Sequence, residues 1–88
     1  MSDITFAEIA WSEYLEWQAV DRKTLRRINE LLKELTRHPF EGTGKPEPFK
    51  GALQGKWSRR INETDRLVYS VADNGITIYQ CKGHYDDR

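Results

Sequence analysis

Apolar residues recur along this 88-residue chain with two periods, helical in the first half and strand-like in the second. Residues 4–6 form a short apolar run that predicts a strand. Over residues 7–20, Trp11, Tyr14, Leu15 and Gln18 recur at helical spacing with glutamates between them, which predicts an amphipathic helix. Asp21 can cap a second helix, in which Leu25, Ile28, Leu31, Leu32 and Leu35 fall on one apolar stripe. That helix must end by His38, because a residue before proline is pushed out of the α region. Residues 39–55 then hold four glycines and all three prolines, a long loop by composition. Three strands are predicted after it, over 56–61, 66–72 and 76–82. Asn62-Glu63-Thr64-Asp65 separates the first two, and the hairpin signal Asp73-Asn74-Gly75 separates the last two.

The order strand–helix–helix–strand–strand–strand predicts an α+β fold. Two N-terminal helices pack on one face of a small twisted antiparallel sheet, in a single domain spanning residues 1–88. Strand parity then assigns faces. Leu67, Tyr69 and Val71 share one side of their strand, with Arg66 and Ser70 on the other. Trp57, Arg59 and Ile61 share a side, and Arg60 lies opposite. Arg60 and Arg66 are therefore expected on an open face away from the helices, and Arg59 is expected to be structural. Parity in the last strand stays open, since Ile76 and Ile78 share it with Lys82 and His84.

Composition narrows the class. The chain is 38% apolar and 32% charged, as expected of a soluble domain. A chain this short buries roughly 60–65% of its unfolded surface, so its core is small. No apolar run approaches the roughly 20 residues of a membrane span, and no basic leader precedes an apolar stretch, so the expected location is the cytoplasm with no membrane partner. The single cysteine, Cys81, excludes an intrachain disulfide and cannot build a zinc site alone. The net charge of zero hides an asymmetry. Residues 1–43 sum to −2, residues 44–82 to +3, and residues 83–88 to −1. A basic patch, rather than total charge, is what binds phosphate.

The basic stretch also holds the candidate chemistry. Glu47 stands between Pro46 and Pro48, which stiffen its backbone and extend it. Cations follow at Lys50, Arg60 and Arg66, and a histidine, His84, lies near the end with Tyr85 beside it. A metal-free ribonuclease needs this inventory: a base for a 2′-hydroxyl, cations for a phosphorane, and an acid for the leaving 5′-oxygen. Read singly, each residue has a plainer reading. Glu47 can be a surface glutamate in a stiff loop, Arg66 a strand-end arginine paired with Asp65 or Glu63, and His84 a solvated tail histidine.

Taken together, Pro39-Phe40-Glu41-Gly42, Gly44-Lys45-Pro46-Glu47-Pro48, Trp57-Ser58-Arg59-Arg60-Ile61, Arg66-Leu67-Val68-Tyr69 and His84-Tyr85 carry a resemblance. Over residues 6–85 the chain resembles the YoeB/Txe-type toxins of the RelE-like mRNA interferases, whose fold is microbial-RNase-like. The resemblance implies a toxin of a type II toxin–antitoxin pair, an endoribonuclease that cleaves mRNA in the ribosomal A site and inhibits translation. It implies Glu47 as base, Arg66 as the arginine on the scissile phosphate, and His84 as acid. Lys50 and Arg60 become supporting phosphate contacts, and Tyr85 an aromatic that stacks on a base or orients the histidine. No cofactor or metal is expected. The implied partners are mRNA on the ribosome, a YefM-type antitoxin and a second copy in a homodimer. The basic helix, residues 22–37, could also contact ribosomal RNA. This chain departs from the family in having Gly83 before the histidine and Asp86-Asp87-Arg88 after Tyr85. Two alternatives remain open at this point, a ParE-like gyrase-poisoning toxin and a non-catalytic RNA- or partner-binding module on the same scaffold.

Overall fold

The computed structural model describes residues 3–83. Its elements run β1 (Asp3–Phe6), α1 (Glu8–Val20), α2 (Arg22–Leu35), β2 (Glu47–Pro48), β3 (Lys56–Arg60), β4 (Arg66–Ala72) and β5 (Gly75–Gln80), with a 3-10 turn at Gly51–Leu53. The five strands form one sheet in the order β1-β5-β4-β3-β2. The expected α+β architecture stands, with one addition. Pairing is antiparallel from β2 to β5, but β1 joins β5 in parallel, so the sheet is mixed. The α1–α2 pair supplies the long crossover that returns the chain to the opposite edge.

Helix α2 follows the predicted stripe, burying Ile28, Leu31, Leu32 and Leu35. Burying each such side chain stabilises the fold by about 1.5–3 kcal/mol. Asp21 caps the helix by accepting from the Thr24 amide at 3.1 Å and the Thr24 hydroxyl at 2.7 Å. These bonds hold its carboxyl below the ordinary range. Helix α1 is rotated from expectation. Ala10 and Trp17 face the core with Tyr14 half-buried, a spacing of one helical face, while Trp11 and Leu15 stay about half exposed. Trp11 packs instead against Phe6 and Tyr14, at ring separations of 5.6 and 5.8 Å. No helix is long and apolar enough to cross a membrane among the described residues.

The core lies between the helices and one face of the sheet, where Leu67, Tyr69, Ile76, Ile78 and Cys81 are fully or almost fully buried. The ambiguous parity of the last strand is settled by a β-bulge. Tyr69 pairs with Ile78 but Val68 pairs with Gln80, leaving Tyr79 as the extra residue. Tyr79 and Gln80 therefore both lie on the side away from the helices, and Cys81 returns to the core. Helix α1 grips this strand end: the Trp17 indole donates to the Cys81 carbonyl at 2.8 Å, and the Cys81 amide donates to Glu13 at 2.8 Å.

Candidate active site

The loop predicted over 39–55 is more structured than its composition suggests. Its middle forms β2, a two-residue edge strand in which Glu47 pairs with Ser58 and Pro48 with Trp57. A proline lacks an amide donor and fits a sheet only at an edge, so the Pro-Glu-Pro run both permits this strand and limits its length. The extended backbone expected for Glu47 is thus built into the sheet.

The entry to β2 hangs on one buried side chain. Arg59 on β3 has no exposed surface and donates to the carbonyls of His38, Glu41 and Thr43, and to the Glu34 carboxylate. Glu34 also accepts from the Thr43 amide at 2.8 Å and its hydroxyl at 3.1 Å. The Thr43 amide first, with Arg59 adding to it, holds the Glu34 carboxyl below its ordinary value of 4.5. Tyr69 completes the network, donating to the Pro39 carbonyl at 2.7 Å and accepting from Arg59 at 3.3 Å. Gly44 then passes against β3, its carbonyl accepting from the Arg60 amide at 2.7 Å. A Cβ at Gly44 would sit 2.9 Å from the Arg60 carbonyl, and its φ of +88° favours glycine as well. The structural role expected of Arg59 is therefore met: it organises the loop that delivers Glu47.

Residues paired across a sheet share a face. One row reads Glu47–Ser58–Val68–Gln80, and the next reads Arg60–Arg66. Glu47, Arg60 and Arg66 therefore lie together on the face opposite the helices, as parity predicted for the two arginines. Glu47 and Arg60 are diagonal neighbours, with Cα atoms about 7–8 Å apart by sheet geometry. Arg66 makes no ion pair with Asp65 or Glu63 among the described residues. One of its terminal nitrogens donates to the carbonyls of Asn62 at 3.1 Å and Asp65 at 3.3 Å. Its other terminal nitrogen has no such bond among the described residues. Lys50 lies beyond β2, exposed, at the start of the 3-10 turn and outside the two rows. His84 and Tyr85 lie outside the described residues.

The same face carries further polar groups. Lys56 and Ser70 pair across β3 and β4. The Lys56 ammonium sits 4.3 Å from the centre of the Tyr79 ring, and Tyr79 Oη lies 2.9 Å from Ser70 Oγ. Phe49, Leu53, Lys56, Val68, Tyr79 and Gln80 line a pocket of about 120 Å³ beside the Glu47 row. Ser58 and Lys56 were legible, since they share parity with Arg60. Tyr79 and Gln80 were not, because the bulge places consecutive residues on one side. Two larger clefts, of about 340 and 290 Å³, run along α2 on the helix side of the sheet. The first is lined by Arg22 and Arg26, part of the exposed basic surface of that helix; Arg27 is drawn inward to the Ile61 carbonyl at 3.2 Å. His38 lies exposed near the second, 3.7 Å from Glu41. No group of three metal-ligating side chains occurs among the described residues.

Known proteins similar to this chain identify its family. The family of YoeB-like toxins of bacterial type II toxin–antitoxin systems matches residues 6–85. The chain is 52% identical over 82 residues to toxin YoeB of Synechocystis sp., covering 93% of this chain and 95% of that protein. The YoeB dimer of Staphylococcus aureus superposes with a TM-score of 0.89 at 49% identity, covering 96% of this chain and 98% of that one. The YoeB–YefM complex of the same species gives 0.88 at 48% identity, covering 97% and 99%. With a family match over nearly its whole length and a curated relative above half identity, the chain belongs to the YoeB-like toxins of bacterial type II toxin–antitoxin systems.

Proposed function

We propose that this toxin is a ribosome-dependent endoribonuclease, acting in the cytoplasm as a single domain that cleaves mRNA in the A site by acid–base catalysis. The observation that supports it most is the clustering of Glu47, Arg60 and Arg66 on the one sheet face that the helices leave open. Glu47 takes the proton from a 2′-hydroxyl, and the freed oxygen attacks the adjacent phosphorus. The developing phosphorane dianion lies against Arg66, whose planar fork grips two oxygens and stays protonated. Arg60 adds charge from the same row, and Lys50 from the loop beyond β2. His84 gives a proton to the leaving 5′-oxygen, so the bond from phosphorus to that oxygen breaks as the bond to the 2′-oxygen forms. The products are a 2′,3′-cyclic phosphate and a 5′-hydroxyl. Tyr85 supplies a ring for stacking on a base, worth about 1–3 kcal/mol. The scheme uses no metal and no cofactor.

The exposed cations of α2 give the protein a surface for ribosomal RNA backbone, independent of sequence. The YoeB–YefM complex of the S. aureus relative supports a YefM-type antitoxin as partner, covering the basic open face with a segment that folds on binding. The S. aureus YoeB dimer supports a homodimer.

Expression without the antitoxin tests the reading. Growth should stop, and primer extension on ribosome-bound message should show cuts inside A-site codons. Intact messages beside gyrase-trapped, broken DNA would overturn it in favour of a ParE-like activity.

A further inference from the structure

Val68 lies on the open face of β4, yet it is only 3% exposed. Parity puts it on the side of Arg66 and Ser70, away from the helices, so groups on the open face must cover it. They are the walls of the pocket of about 120 Å³ beside the Glu47 row, with Val68 as its floor. Phe49 reaches the pocket because the β2–β3 ladder continues past Pro48: the Phe49 amide donates to the Lys56 carbonyl at 2.9 Å. Phe49 and Glu47, two residues apart, thus share a face. The 3-10 turn at Gly51–Leu53 adds Leu53 as a second apolar wall.

The rest of the lining is polar. Tyr79 is held at two points, its hydroxyl 2.9 Å from Ser70 Oγ and its ring centre 4.3 Å from the Lys56 ammonium. Gln80 donates through Nε2 to the Gly83 carbonyl at 3.2 Å. Only the nitrogen of a side-chain amide can bond a carbonyl, so this bond fixes which end of the amide remains. Gln80 Oε1 accepts no hydrogen bond among the described residues. Aromatic and apolar walls with a few placed polar groups suit a small planar ligand, and single-stranded RNA bases are read by stacking and by bonds to their edges.

The position of the pocket says which base. Three rows cross the open face in order: Arg60–Arg66, then Glu47–Ser58–Val68–Gln80, then Lys56–Ser70. Successive rows on one face lie about 7 Å apart. With the scissile phosphate on the arginines and the attacking 2′-hydroxyl at Glu47, the base of that nucleotide extends toward the third row. The pocket lies there, between the second and third rows.

We propose that this pocket binds the base of the nucleotide whose 2′-hydroxyl attacks, stacking it against Phe49 and Tyr79 and selecting adenine or cytosine over uracil. The proposal rests on the ribonuclease reading, which supplies the phosphate and the 2′-hydroxyl. Gln80 Oε1 accepts from the exocyclic amine that adenine and cytosine carry. Uracil sets a carbonyl oxygen against it instead. The Lys56 ammonium, a donor only, meets a ring acceptor of the same base.

The test has two arms. In the first, the toxin is titrated with adenosine 3′-monophosphate and uridine 3′-monophosphate, followed by amide NMR. The adenosine nucleotide should bind about 3- to 10-fold tighter and shift the amides of Phe49, Lys56 and Gln80. Gln80→Ala should bring the two affinities within about twofold. In the second, message with A, C or U immediately 5′ of the cut is cleaved on programmed ribosomes. The parent should favour A and C over U by a similar factor in kcat/KM, and Gln80→Ala should abolish the preference. Losing the bond to Gly83 slows every message alike, so the ratio between bases isolates the pocket. Tyr79→Ala should lower kcat/KM roughly 5- to 100-fold for all three bases, because stacking is sequence-tolerant. Equal affinity for the two nucleotides, or amide shifts confined to Arg60 and Arg66, overturns the proposal while leaving the ribonuclease reading intact. Message left uncut by the parent overturns both. If Tyr79→Ala does not fold, Leu53→Glu, in the turn, sets a carboxylate in the pocket and should weaken both nucleotides; unchanged affinity overturns the proposal. Pocket variants that weaken antitoxin binding but leave nucleotide affinity unchanged make the pocket a protein contact, and also overturn it.

Discussion

Arg59 and Arg60 are adjacent on β3 and carry the same guanidinium, yet they belong to different halves of the molecule. Arg59 points to the helix side, where it is fully buried and its donors are spent on loop carbonyls, Glu34 and the Tyr69 hydroxyl. Arg60 points to the open side, exposed, beside Arg66 and diagonal to Glu47. One position along a strand reverses the face, and with it the task. Buried polar groups are kept when fully bonded because they specify one geometry; open-face groups are kept for what they bind. The helix face of the sheet thus fixes the loop, and the open face carries the residues proposed for the chemistry.

If that division holds, substitutions on the two faces should fail in different assays. Glu47→Ala and Arg66→Ala on the open face should each lower the cleavage rate by about 10²- to 10⁴-fold with melting temperature nearly unchanged, and His84→Ala, at the acid the family resemblance implies, should do the same. Thermal melts beside ribosome-programmed cleavage check this, and full toxicity in any of the three removes that residue from the mechanism. On the helix face, Arg59→Ala should instead destabilise the fold by about 3 kcal/mol, lowering Tm by more than about 10 °C, because three carbonyls and a carboxylate lose their partner. Arg60→Ala, by contrast, should melt like the parent. Equal melting curves for the two arginine variants would erase the comparison.

A smaller effect separates the faces by pH. The Glu34 carboxyl is held below 4.5 in the fold, so its contribution is fully present above the unfolded value and is lost as pH falls through the folded one. Urea midpoints should stay level from neutral pH down to about 5 and drop below about 4.5, and Glu34→Gln should flatten that drop. The smallest effect concerns the tail. Deleting Asp86-Asp87-Arg88 removes a net charge of −1 and should tighten RNA binding by no more than about 1 kcal/mol, less at high salt. Fluorescence titrations at two salt concentrations would show it.

Much of this arrangement was written in local patterns. The α2 stripe, the Asp21 cap, the β4 alternation and the opposite facing of Arg59 and Arg60 all follow from periods of 3.6 and 2 that tertiary packing reinforced. Glu47 was legible because two prolines leave its backbone little choice. What escaped was non-local. The aromatic-rich α1 offered Trp11, Tyr14, Leu15 and Gln18 as a stripe, but of these the core kept only Tyr14, with Ala10 and Trp17 beside it. The bulge opposite Val68 and Tyr69 moved Tyr79 and Gln80 to one side, which alternation cannot anticipate. The bond between Asp65 and Gly83 spans 18 residues and leaves no local trace. The acid and the stacking aromatic expected at His84 and Tyr85 lie beyond the described residues and rest on the family resemblance.

The central claim is that the open face breaks RNA through its own 2′-hydroxyl, with side chains alone as acid and base. End-group analysis of message cleaved on programmed ribosomes tests it most directly. The account predicts fragments ending in 2′,3′-cyclic phosphate and beginning with 5′-hydroxyl. Fragments beginning with 5′-phosphate would contradict it.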